Sequence, residues 1–128
     1  MRAVLTYALG GLLAVNGLIM LAAPAAWYAL YPGVQMTGPF NGHFVRDIGA
    51  AYVAAGAGIA WFAARSVARA AAWIAILFLV AHALIHFTGL LFGREAWSEA
   101  LLDLPAIYLP PALAAWLVWS PRKHGVTT

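Results

Sequence analysis

His82 and His86 stand four residues apart inside one apolar run. His43 and Asp47 stand four apart at the start of another, with Arg46 beside the carboxylate. A spacing of four puts both members of each pair on one helical face. Imidazole beside carboxylate is the usual means of moving a proton near neutral pH, so His82, His86 and Asp47 are the candidate catalytic groups. His82, His86, His43 and Asp47 together would offer three nitrogens and one oxygen to a divalent metal. A haem is the weaker fit, because an axial His82 or His86 would need an opposing ligand and only His43 lies near a suitable depth. Asn16, His43, Arg46, Asp103 and Tyr108 complete the polar set as candidate ligand-binding residues.

The bland reading of the same residues is structural. His-x-x-x-His lacks the adjacent glutamate of the zinc proteases. Histidines also donate hydrogen bonds between membrane helices, each contributing about 0.6 kcal/mol. Asn16 fits a bridge between helices, and Tyr108 fits a wall position with a satisfied hydroxyl. The absence of cysteine excludes disulfides, thiolate metal ligands and a cysteine nucleophile. No Gly-rich phosphate loop, Walker signature or nucleophile motif is present, which argues against nucleotide use and covalent catalysis.

These groups sit in a chain of 128 residues that is 65% hydrophobic and 9% charged. A charged group at the centre of a bilayer costs about 2.5–3.5 kcal/mol or more, so polar groups here are functional candidates by default. A helix that crosses the hydrocarbon needs about 20 apolar residues. Spans are expected at about 3–23, 44–64, 70–92 and 104–119; the last is only about 16 residues long, short for a crossing, so an earlier start around Ser98 to Leu102 is open to it. Pro105, Pro110 and Pro111 should kink the fourth. The stretch Pro24 to Gly42 reads as an ordered surface loop whose Trp27, Tyr28, Tyr31 and Phe40 lie at the interface. Trp97, Trp116 and Trp119 read as interfacial anchors, and Arg94, Glu95 and Glu99 as a solvated loop. The expected fold is therefore an all-α integral membrane bundle of four transmembrane helices forming a single domain.

Arg2, Arg65, Arg69, Arg122 and Lys123 fall on one side of such a bundle, and Asp47, Glu95, Glu99 and Asp103 fall toward the other. The positive-inside rule then puts both termini in the cytoplasm of a multi-pass inner (plasma) membrane protein. The basic residues border apolar runs instead of forming a polar face, which argues against nucleic acid. The first apolar run exceeds the 7–15 residues of a typical signal core, so it is expected to be kept as a span. At about 1.5 Å per residue, His82 lies near the midplane and His86 roughly 6 Å further out. Arg46 and Asp47 lie roughly 10 Å out and Asn16 and Tyr108 roughly 5 Å out, with His43 and Asp103 at the mouth. Eight polar groups from four helices thus share the outer half, which predicts a polar cavity opening there. Arg46 could fork to Asp103 or Asp47 within it.

The run His43-Phe44-Val45-Arg46-Asp47-Ile48-Gly49, then Ala81-His82-Ala83-Leu84-Ile85-His86, then Asp103-Leu104-Pro105, resembles a group of small, uncharacterised four-span bacterial membrane proteins similar to the DoxX-like families. The resemblance implies the four-span fold, and some such proteins are linked to respiratory or redox partners; it implies no chemistry. Two functional classes follow. In one, the chain binds a small lipophilic molecule or a metal, with acid–base chemistry at the pocket. In the other, it is a non-catalytic accessory or scaffold subunit of a larger membrane complex.

Overall fold

The computed structural model describes residues 1–31, 33–93 and 96–119. Arg94, Glu95, the side chain of Glu99, and the tail from Ser120 with Arg122, Lys123 and His124 lie outside the described residues. All described secondary structure is helical. In order these are α1 (Arg2–Ala22), α2 (Pro24–Leu30), α3 (Gly42–Ala64), α4 (Arg69–Leu91), α5 (Trp97–Asp103) and α6 (Leu109–Trp119), with 3₁₀ turns at Val34–Thr37 and Ser66–Ala68. Four segments, Arg2–Ala22, Gly42–Ala64, Ser66–Leu91 and Ala100–Trp119, are long and apolar enough to cross a membrane. Leu12, Leu18, Ile74, Leu77, Leu84 and Leu109 all face outward, the pattern of a chain whose surroundings are as apolar as its core.

Local chemistry sets the boundaries. Pro24 has no N–H to continue α1 and disfavours helical backbone at the residue before it. Ala23 accordingly takes φ −137° and ψ 58°, and Pro24 opens α2. α3 is capped by Asn41, whose side-chain oxygen accepts from the amides of His43 and Phe44 at 3.1 Å each. Between α5 and α6 the chain widens into a π-helical turn, Leu104–Tyr108, in which the Leu109 amide donates to the Leu104 carbonyl. Pro105, Pro110 and Pro111 lack the N–H groups that a regular ladder would use here. The wide turn is how the chain passes through them.

α1 and α3 make the most extensive pairing in the bundle. They run antiparallel with Gly10 against Gly56 and Gly17 against Gly49. A methyl group on Gly56 would lie 2.5 Å from the Gly10 carbonyl oxygen and 2.6 Å from the Ala14 nitrogen, so only a residue without Cβ fits. Small residues allow this approach where no hydrophobic force drives helices together. Beyond it, α4 packs on α3, and α6 on α4, while α1 and α6 meet only sparingly. The densest core lies toward one end, where Ile59, Phe62, Ala72, Ala114 and Val118 are almost wholly buried.

That end is also the basic one. The Arg2 guanidinium lies over the Trp116 ring at 5.0 Å, and that of Arg69 over Phe62 at 5.9 Å. Trp73 and Trp119 meet edge to face at 6.1 Å beside them. At the opposite end, the connector between α1 and α3 folds back on itself. Gln35 caps α2 by donating to the Tyr28 and Ala29 carbonyls at 2.7 and 2.9 Å, and the Tyr28 hydroxyl donates to the Gly38 carbonyl. Gly33 and Gly38, at φ 83° and 138°, supply the backbone turns that other residues resist.

Candidate functional site

At the connector end the four long helices diverge around a cavity of about 1070 Å³. Its walls are mainly apolar side chains, including Leu9, Leu13, Met20, Ile48, Ile107 and Leu113, and the connector roofs it with Trp27, Tyr31 and Val34. Leu12 of α1 and Leu109 of α6 are in the same wall, yet are 70% and 56% exposed, so the cavity is open on that side. Among the described residues, its polar groups are chiefly Asn16, Tyr31, Tyr52, His82, His86 and Asp103.

Two of these form a tight pair. His86 Nδ1 lies 2.8 Å from Asp103 Oδ2, with the side chains only 17% and 16% exposed. α5 makes this possible: it begins at Trp97 and carries Asp103 across to the C-terminal part of α4. An imidazole held by a buried carboxylate is oriented and can keep or pass a proton. On the same face of α4, Phe78, His82 and His86 follow at intervals of four. Phe78 and His82 stack at 6.1 Å, and the two imidazoles meet at 5.1 Å. Tyr52 of α3 meets Phe78 at 5.4 Å and His82 at 5.8 Å, with its ring nearly perpendicular to each.

Asn16 joins α1 to α2. Its oxygen accepts from the Trp27 indole N–H at 3.0 Å, and its amide reaches the Met20 sulfur at 3.6 Å. Trp27 in turn stacks on Tyr31 at 5.0 Å. Burial, and after it the Asp103 carboxylate, hold the Tyr31 phenol above its ordinary value. Tyr31 therefore stays protonated and able to donate through the whole neutral range.

The eight groups expected to converge divide into two sets. Asn16, His82, His86 and Asp103 line the cavity, and Tyr108 lies partly buried beside it. His43, Arg46 and Asp47 do not line it. His43 Nε2 lies 3.5 Å from Asp47 Oδ2, as their spacing predicts, but the side chains are 89% and 61% exposed. The carboxylate beside the α4 histidines is thus Asp103 and not Asp47. Arg46 forks to neither carboxylate; it donates to the Leu21 and Gly42 carbonyls, both at 3.3 Å. The last carbonyls of a helix lack intrahelical donors, so the end of α1 is a ready acceptor for a guanidinium.

The metal set divides in the same way. Among the described residues no three of His, Cys, Asp and Glu come together closely enough to hold an ion. Among the described residues His82, His86, His43 and Asp47 are not assembled as a ligand set, and His43, 89% exposed beside Asp47, does not line the cavity with His82 and His86. The groups missed in the sequence are aromatic. Trp27 and Tyr31 of the connector, read above as interfacial aromatics, also line the cavity, as does Tyr52 of α3, which is absent from the polar set above. Its signal was present: it is the one tyrosine of α3, placed at mid-helix among small residues. No family model, curated protein or solved structure matches this chain.

Proposed function

We propose that the chain is a multi-pass membrane protein that binds a small lipophilic molecule in the cavity between α1, α3, α4 and α6, with the polar part of the guest against His82, His86 and Asp103. The observation that carries this reading is the cavity itself: about 1070 Å³, largely apolar, with an imidazole–carboxylate pair set into its wall. Ligand sites commonly combine a concave apolar lining with a few convergent polar groups, at volumes of about 300–1,000 Å³. Bonded to Asp103, His86 is oriented to give a proton to a hydroxyl or carbonyl on the guest, or to accept one.

The test is native mass spectrometry of protein extracted directly into lipid discs. Wild type should carry a bound lipophile in addition to bilayer lipid, and Ala106→Trp, which fills the cavity from its wall, should lose it. Identical spectra for the two proteins would end the ligand reading. If His82→Leu instead sheds a co-purifying protein, the accessory-subunit reading takes its place.

The orientation we propose places the Arg2, Arg65 and Arg69 end in the cytoplasm and the cavity toward the opposite face, of an inner membrane if the cell is bacterial. The cysteine-free sequence makes this simple to check. In intact cells, a membrane-impermeant maleimide should label Thr37→Cys in the connector and spare Ser66→Cys in the α3–α4 turn. The reverse pattern would invert the topology.

A further inference from the structure

The charge of the cavity wall narrows what can occupy it. Among the described residues, no lysine or arginine lines the cavity, and its one carboxylate is that of Asp103. Arg46 is turned away to backbone carbonyls, and Arg2 and Arg69 lie over aromatic rings at the far end of the bundle. With both imidazoles neutral the wall carries one negative charge; with one protonated it is neutral. An anionic guest would find no counter-charge in an apolar cavity, and burying it there would be costly.

The aromatic lining points the same way. Trp27 and Tyr31, stacked on each other, both line the cavity, and Tyr52 stands in its wall against His82. Asp103 lines the same cavity as Trp27, Tyr31 and Tyr52, so a guest within it meets both the carboxylate and the rings. Its Oδ2 is taken by His86, and no other hydrogen bond to this carboxylate is made among the described residues. Aromatic faces gathered near a carboxylate are how proteins hold ammonium groups whose substituents prevent strong hydration.

We propose that the guest is a lipophilic cation, a protonated amine or a quaternary onium with bulky apolar substituents. Its charge is held between Asp103 and the rings of Trp27, Tyr31 and Tyr52, and its hydrocarbon fills the rest of the cavity. This rests on the reading that the cavity is a ligand site, and it adds the sign of the ligand's charge.

Three probes of nearly equal shape separate the cases: tetraphenylphosphonium, neutral tetraphenylsilane and the tetraphenylborate anion. Binding would be measured to wild type in lipid discs, with partitioning into empty discs subtracted. The cation should bind about tenfold or more tighter than the neutral probe, and the anion should show no specific binding. Asp103→Asn should abolish the preference for the cation while retaining the neutral probe. Tyr31→Leu should weaken the cation about fivefold and Tyr31→Phe should restore it, which keeps the test decisive if Asp103→Asn does not fold. Equal affinity for cation and neutral probe would overturn the cation assignment and leave the ligand site standing. A native lipophile seen by mass spectrometry, with no specific binding of the phosphonium, would overturn it as well.

Discussion

Gly56→Leu is expected to leave little folded protein in mild detergent, while Gly11→Ala, next in sequence to Gly10 but facing away from α3, should be silent or slightly stabilising. The contrast isolates the close approach of α1 and α3. At Gly56 a side chain would meet the backbone of α1, with the Gly10 oxygen, the Ala14 nitrogen and the Ala14 Cβ at 2.5, 2.6 and 2.9 Å. A backbone cannot rotate aside as a rotamer can, so the helices must separate along their whole contact. Overpacking a tight core costs about 1–3 kcal/mol and sometimes more; here the extensive α1–α3 pairing makes the upper end the expectation. A Cβ on Gly11 meets nothing within 4 Å. Alanine there should recover up to about 1 kcal/mol of helix propensity. Unfolding in graded denaturing detergent would measure both. A Gly56→Leu protein that unfolds at the wild-type midpoint would show that the glycine contact does not hold the bundle together.

His86→Leu should cost more stability than Asp103→Leu, by contrast with a surface ion pair, where both changes are nearly silent. The pair is mostly buried, at 17% and 16% exposure. Removing His86 leaves a carboxylate in an apolar wall with no other hydrogen bond to it among the described residues, a loss of about 3–5 kcal/mol when a buried charge is left without its partner. Removing Asp103 leaves an imidazole, which can stay neutral, so the loss should be smaller. The double variant His86→Leu/Asp103→Leu should recover most of the deficit, because neither polar group then remains. A double-mutant cycle on the same unfolding assay reads the coupling directly. Additive effects with no coupling would mean that the 2.8 Å contact contributes nothing to stability.

The four long helices were legible because hydropathy and length are enough to mark them. The expected spans 3–23, 44–64 and 70–92 lie within two residues of α1, α3 and α4. The connector was not, since α2 is seven residues long and owes its start to a single proline. His82 and His86 were legible as a pair from their spacing. Which carboxylate meets them was not: Asp47 and Asp103 look equivalent in the sequence, and the choice depends on a helix that begins at Trp97, ahead of the expected fourth span. Arg46 misled for a related reason. A guanidinium in an apolar chain suggests a buried carboxylate, but the end of α1 supplied backbone acceptors that no side-chain pattern reveals. Tyr52 and Tyr31 were hard to read because an aromatic ring is ordinary in such a chain, and only its neighbours make it part of a site.

The sparse meeting of α1 and α6, with Leu12 and Leu109 on either margin, gives the chamber a doorway in its flank. On the proposed reading, a guest arriving there would travel sideways through hydrocarbon and would never have to be dissolved in water. Its supply would then be set by how strongly it partitions into the surrounding fluid, so half-saturation would belong on a scale of moles per mole of lipid, and two laboratories using different detergents would report different constants for the same event.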